Sequence, residues 1–208
     1  TQFIIVGMLF TYGVLMTELE KEFGWSRTVL SSIGAAGWLA WGIFAIPGGY
    51  LNDRLGPKIV LGVNGFIFGI GFILFSKSSE VWHLFLIFIF FIGIGLSTHD
   101  ISTLSSIAKW FESKRGLMTS IAKIGTAMGQ MVMPPLIAFL IISFGWRTAT
   151  FYLGIVASIG LVLAASLMST PNTSSKKLVS EDANLEVLDK KVFNLLAFCQ
   201  FCIFFAMF

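Results

Sequence analysis

The sequence predicts an all-α membrane protein, with six crossing helices followed by the start of a seventh. Three observations predict it. Hydrophobic residues make up 56% of the 208 and charged ones only 12%, with 22 Phe and a mean hydropathy of +0.86, outside the range of a soluble domain. Apolar stretches recur at lengths of about 20 residues, enough to cross ~30 Å of hydrocarbon at ~1.5 Å per residue. The connections between them alternate between Lys/Arg-rich and Lys/Arg-poor, as the loops of a multi-pass protein do.

Taken in order, the first stretch is residues 2–17, already apolar from Thr1. The second, 29–51, is followed by Gly49-Tyr50-Leu51-Asn52-Asp53-Arg54-Leu55-Gly56-Pro57-Lys58, read as a loop. Asp53 is suited to accept hydrogen bonds at a helix start and to pair with a cation, Gly56 to make a tight turn, and Pro57 to open the third stretch, 57–76. Gly65 and Gly69 in the third stretch, and Gly125 and Gly129 in the fifth, have the four-residue spacing that lets helix backbones approach closely. The fourth runs over 81–108, the fifth over 116–142 and the sixth over 148–168. Pro134-Pro135 removes backbone hydrogen bonds inside the fifth, so a bend is expected there. Residues 169–191 are polar and charged, which suits a central solvated loop, and 192–208 begin a seventh stretch. Thr1 and Phe208 both lie inside apolar runs, which reads as a piece of a longer chain whose partner half is missing. Cys199 and Cys202 stand alone as a C-x-x-C with no second pair or nearby His, so metal binding and cofactors are not expected.

Orientation follows from the basic residues. One set of loops holds Arg54, Lys58, Lys109, Lys114, Arg115, Lys176, Lys177, Lys190 and Lys191; the other holds Lys21, Arg27, Lys77 and Arg147. The positive-inside rule then places the first set and the N-terminus in the cytoplasm of a plasma or inner membrane. Trp25, Trp82 and Trp146 fall at the outer interface, where amphipathic rings are favoured. The net charge of +3 is thus a topology signal rather than a nucleic-acid footprint.

Residues 97–106 carry the chemistry. STHDISTLSS follows an extremely apolar run and packs a His, an Asp and six hydroxyls into ten residues before the first basic anchor at Lys109. Ile101, Leu104 and Ala108 form a narrow apolar face, and polar groups on the rest of a membrane helix must meet water or protein. The fifth stretch carries a matching stripe: Thr119, Lys123, Thr126, Gln130 and Pro134. Asp100 lies nine residues back from Lys109 and Lys123 eight residues on from Arg115, or ~13.5 Å and ~12 Å of rise. Adjacent antiparallel helices would hold this acid and this base at one level near the bilayer centre, where a lone charge costs about 2.5–3.5 kcal/mol on insertion scales and pairing is favoured. Asp100 and Lys123 are therefore expected to pair, either as a site perturbed by substrate anion or proton or as a purely structural bridge. His99 is a second candidate proton carrier, pointing about 100° away from Asp100 around a regular helix.

The stretch Gly49 to Lys58 closely resembles the G-x-x-x-D-R-x-G-x-K signature of the major facilitator superfamily, with Gly49, Asp53, Arg54, Gly56 and Lys58 in register and Pro57 where that family often has a second basic residue. Phe23-Gly24-Trp25-Ser26-Arg27, Lys109-Trp110-Phe111, Lys114-Arg115-Gly116 and Phe144-Gly145-Trp146-Arg147 resemble the monocarboxylate transporter and oxalate/formate antiporter branch. The resemblance implies that residues 1–168 are the N-terminal six-helix bundle of a twelve-helix fold. It also implies alternating access, a latch between halves at the Asp53-Arg54 motif, and a central site lined by the first and fourth helices. The activity it implies is secondary transport of a small organic anion, proton-coupled or by exchange. A drug or metabolite exporter of the same fold and a non-transporting receptor remain open, and nothing resembles an enzyme's catalytic constellation. Animal monocarboxylate transporters use a first-helix lysine for the substrate carboxylate. Gapless matching puts Phe10 there, so the anion site would draw on Lys123, on Thr11 and Tyr12, on Gln130, or on the partner half.

Overall fold

The computed structural model describes residues 1–111 and 114–168. The expected central loop (169–191), the start of a seventh helix (192–208) and the Cys199/Cys202 pair lie outside them. Six helices are long and apolar enough to span a membrane: α1 Gln2–Phe23, α2 Arg27–Leu55, α3 Pro57–Phe75, α4 Val81–Trp110, α5 Arg115–Phe144 and α6 Trp146–Leu167. The first six expected crossings are each present, with ends displaced by a few residues.

The local chemistry explains where these helices start and stop. Ser26 caps α2 by accepting from the Val29 amide at 3.4 Å. Gly24, Gly56 and Gly145 hold the tight connections with φ of 68°, 84° and 79°, a region that glycine enters without the Cβ penalty. The Gly49–Lys58 stretch is a correction to the loop reading. α2 continues to Leu55 and α3 begins at Pro57, so Gly56 alone separates them. Asp53 consequently sits in the last turn of α2 rather than at a helix start, and the Arg54 guanidinium lies 4.3 Å from the centre of the Tyr50 ring.

The helices pair α1 with α5, α2 with α4 and α3 with α6. Apolar burial does little to drive helices together in lipid, so close backbone approach has to. A Cβ on Gly69 would lie 2.7 Å from the Gly154 carbonyl oxygen, and one on Gly65 2.6 Å from Leu161 Cβ, so the α3 glycine pair is the seam with α6. The α5 pair forms the seam with α1, where Gly129 packs on the Phe3 carbonyl and a Cβ on Gly7 would meet Met133 Cγ at 2.5 Å. Replacing Gly69 by Ala should lower stability by about 1–3 kcal/mol, the usual result of overpacking, read as a lower melting temperature of detergent-solubilised protein. An unchanged melting curve would remove the seam's energetic role.

Between the seams lies a core of Ile5, Met8, Leu15, Leu30, Ile33, Phe68, Phe72, Phe75 and Phe88. The outward residues Ile46, Met131, Ile142 and Leu167 are highly exposed and apolar, which suits a surface facing lipid or another helical unit. α5 runs through Pro134 and Pro135 without a break in its helix. Discontinuities appear elsewhere: α1 has a turn at Thr11, and α4 contains a π-helical stretch over Ile87–Gly93 and a break at Thr98. A π-turn shifts the faces of everything after it and is frequent at functional positions.

Candidate functional site

The break at Thr98 organises the polar stretch of α4. With φ −119° and ψ −3°, Thr98 ends one helical segment, and His99–Trp110 begins the next with Asp100 in its first turn. A carboxylate there meets the positive end of the segment's dipole. Asp100 is therefore supported by its own helix as well as by neighbours.

Three helices converge on it. Lys123 Nζ of α5 lies 2.7 Å from Asp100 Oδ1, the pair the rise arithmetic places at one level. Gln2 of α1 donates from Nε2 to the same oxygen at 2.7 Å, and its Oε1 accepts from Thr126 Oγ1 at 3.0 Å. His99 donates from Nδ1 to the Leu96 carbonyl at 2.7 Å, since a carbonyl can only accept; Nε2 is left 3.8 Å from Asp100 Oδ2. The His99 bond to Leu96 thus spans the break at Thr98 and ties the two segments of α4 together. The His99 ring also packs against Trp41, with centroids 5.8 Å apart.

Burial grades these groups. His99 is 2% exposed and Gln2 4%, whereas the Asp100 and Lys123 side chains remain 34% and 43% exposed. The acid and base therefore face outward from the bundle, on an inner scaffold of amide and imidazole.

The hydroxyls of residues 97–106 serve helix packing. Ser102 Oγ donates to Asn52 Oδ1 of α2 at 2.8 Å, and Asn64 Nδ2 of α3 donates to Thr98 Oγ1 at 2.6 Å. Thr103 and Ser106 bond backward to the carbonyls of His99 and Ser102. Among the described residues, no buried side-chain nitrogen or oxygen is left without a partner, as a low-dielectric interior demands. The buried face of this segment is consequently the polar one: His99, Ser102 and Thr103 are buried, while Ile101, Leu104 and Ala108 are only partly so.

Other expected site residues lie apart. Thr11 is fully buried and donates to its own helix at Met8 O, 2.6 Å. Tyr12 donates to Leu30 O at 2.7 Å and packs on Phe88, so both hydroxyls are committed to structure. Gln130 is half-buried on α5, four residues beyond Thr126, outside the Asp100 hydrogen bonds. Phe10 is exposed on α1. Gln2, missed by the sequence reading, carried one signal: a polar residue heading the apolar run QFIIVGMLF, and polar groups within membrane spans are functional candidates by default.

At the other end of the bundle, the FGWSR and FGWR motifs meet. Arg147 pairs with Glu22 at 2.9 Å, donates to Ser76 O and Ser78 O, and lies 4.5 Å from the Trp146 ring centre. Trp146 Nε1 donates to Glu22. Trp146 is thus buried within the bundle, whereas Trp82 is exposed. Arg147→Lys should lower the melting temperature, because an ammonium cannot reproduce a planar fork serving several acceptors and stacking on a ring. No change on melting would mean the motif is not a clamp.

The whole chain, residues 1–208, matches the family model of the Major Facilitator Superfamily. The chain belongs to that superfamily. Among superfamily relatives, it is 26% identical to human monocarboxylate transporter 14 over 168 residues, covering 79% of this chain and 32% of that protein. It is 30% identical over 150 residues to the probable L-galactonate transporter of Escherichia coli (strain K12), covering 70% and 32%. With the agnestins efflux protein AgnL12 of Paecilomyces divaricatus it shares 28% over 160 residues, covering 72% and 36%. The chain thus spans about a third of the length of these relatives. As a superfamily member with six helices long and apolar enough to span a bilayer, it is an integral multi-pass membrane protein.

Proposed function

We propose that this chain supplies the N-terminal half of a secondary transporter that carries a small monocarboxylate-like anion by alternating access, coupled to protons or to exchange of a second anion. Lys123 receives the substrate carboxylate, and Asp100 takes the proton or holds Lys123 between cycles. The reading is supported above all by the Asp100–Lys123 pair, 2.7 Å apart yet open on one side. A purely structural bridge would gain from closure; an exchangeable one must be reachable. His99 Nε2 offers a second proton position 3.8 Å from Asp100 Oδ2. The proposed topology has a cytoplasmic N-terminus, from the excess of Lys and Arg on that side. The Gly49, Asp53, Arg54, Gly56 and Lys58 motif then forms the latch toward a C-terminal six-helix half, in a plasma or inner membrane.

The test uses the full-length protein in liposomes holding a pH-sensitive dye, with lactate, pyruvate, formate and oxalate added in turn. Acidification above the lipid-only rate is expected with at least one monocarboxylate, or else exchange of a preloaded radiolabelled one. Neither flux nor exchange from folded protein would overturn the anion reading. A second reading, export of a drug or metabolite, is favoured by the efflux relative. Transport of lipophilic compounds unaffected by carboxylates would select it.

A further inference from the structure

Asp100 Oδ1 accepts two hydrogen bonds of the same length, 2.7 Å, from two very different donors. Lys123 is charged, long and half-exposed; Gln2 is neutral and 4% exposed. An incoming carboxylate competes only for the group it can reach and that carries charge. Lys123 is therefore the exchangeable donor and Gln2 the resident one.

We infer that Gln2 is a positioning residue for transport: its amide shares Asp100 with Lys123, loosening the ion pair enough for a substrate carboxylate to draw the ammonium away, and then holds Asp100 in place. The inference rests on the reading of Asp100 and Lys123 given above. Its geometry is a closed circuit. Thr126 lies one turn from Lys123 on α5 and donates to Gln2 Oε1, so the amide that competes with Lys123 is anchored on the helix that carries it. An ionised carboxylate accepts only, which fixes Nε2 toward Asp100 and Oε1 toward Thr126.

Gln2→Met keeps the length of the side chain and removes the amide. Lys123 then becomes the sole close donor to Oδ1, and the substrate must displace a tighter pair. The expected result is a KM for the transported monocarboxylate raised about tenfold or more, the worth of one hydrogen bond to a charged group, in a protein that still folds. Thr126→Val, near-isosteric and lacking only the donor that orients the amide, should raise KM in the same direction, and Thr126→Ser should restore it. A residue that merely packed α1 on α5 would lower the folded yield and leave KM where it was.

KM within twofold of wild type in folded Gln2→Met overturns the inference; should that variant not fold, the same result in Thr126→Val does so. Lys123→Met, combined with Asp100→Asn to avoid an unpaired carboxylate, separates the two readings. If the double variant transports with wild-type KM, the site reading falls and the Gln2 inference with it. If it loses saturable transport while Gln2→Met and Thr126→Val keep wild-type KM, the inference about Gln2 alone falls.

Discussion

Asp100→Asn is expected to leave the protein folded and to reduce proton-driven uptake by about tenfold or more, the scale on which losing a positioned proton carrier acts, while anion exchange across equal pH survives. Asparagine has nearly the shape of aspartate and keeps one oxygen acceptor, so the hydrogen bonds from Gln2 Nε2 and Lys123 Nζ, both 2.7 Å in the native protein, retain a partner. What disappears is the ability to bind a proton. A structural bridge and a coupling group therefore part company in this variant: the first would show as a lower melting temperature, the second as lost uphill accumulation at an unchanged one. Intact proton coupling in folded Asp100→Asn retires Asp100 as the carrier and leaves His99, whose Nε2 lies nearest.

Lys123→Met should have the other large effect, on anion affinity. Removing the ammonium deletes the charged donor within reach of the candidate site and leaves Asp100 with the neutral Gln2 amide. A carboxylate stranded in a span is unfavourable, although its partial exposure means water screens it and the loss falls short of that of a fully buried pair. We expect saturable monocarboxylate transport to fall below detection and the melting temperature to drop. Adding Asp100→Asn should recover the melting temperature without recovering transport. Recovery of transport in the double variant would mean that Lys123 neutralises Asp100 and has no part in binding.

Several features were legible in the sequence because they depend on one helix at a time. Length and hydropathy place each crossing, since spanning lipid is a requirement on a single segment. The spacings of Gly65 with Gly69 and of Gly125 with Gly129 mark seams because a missing Cβ is local. Even the meeting of Asp100 and Lys123 followed from rise per residue and antiparallel neighbours. Other features required a partner's identity or a helix's rotation. Thr11 and Tyr12 looked available as anion donors, yet α1 turns at Thr11 and spends both hydroxyls on carbonyls. The His99 bond to the Leu96 carbonyl spans the break at Thr98, which no proline or glycine at that residue announces. The burial of Trp146 could not be foreseen because its Glu22 partner is 124 residues away in sequence.

The sequence by itself determined that this protein crosses a membrane six times in the described region, which superfamily it resembles, and that an acid and a base lie at one depth. Periodicity, length and spacing are properties of a single chain segment, and the bilayer imposes them directly. Only the tertiary structure decided which groups share Asp100. Three helices must settle at particular rotations, set by glycine seams and by the π-turn and break within α4, before a buried amide on α1 can reach the carboxylate that Lys123 also holds. Hydrogen bonding is directional over less than an ångström, and that precision is a property of the packed bundle.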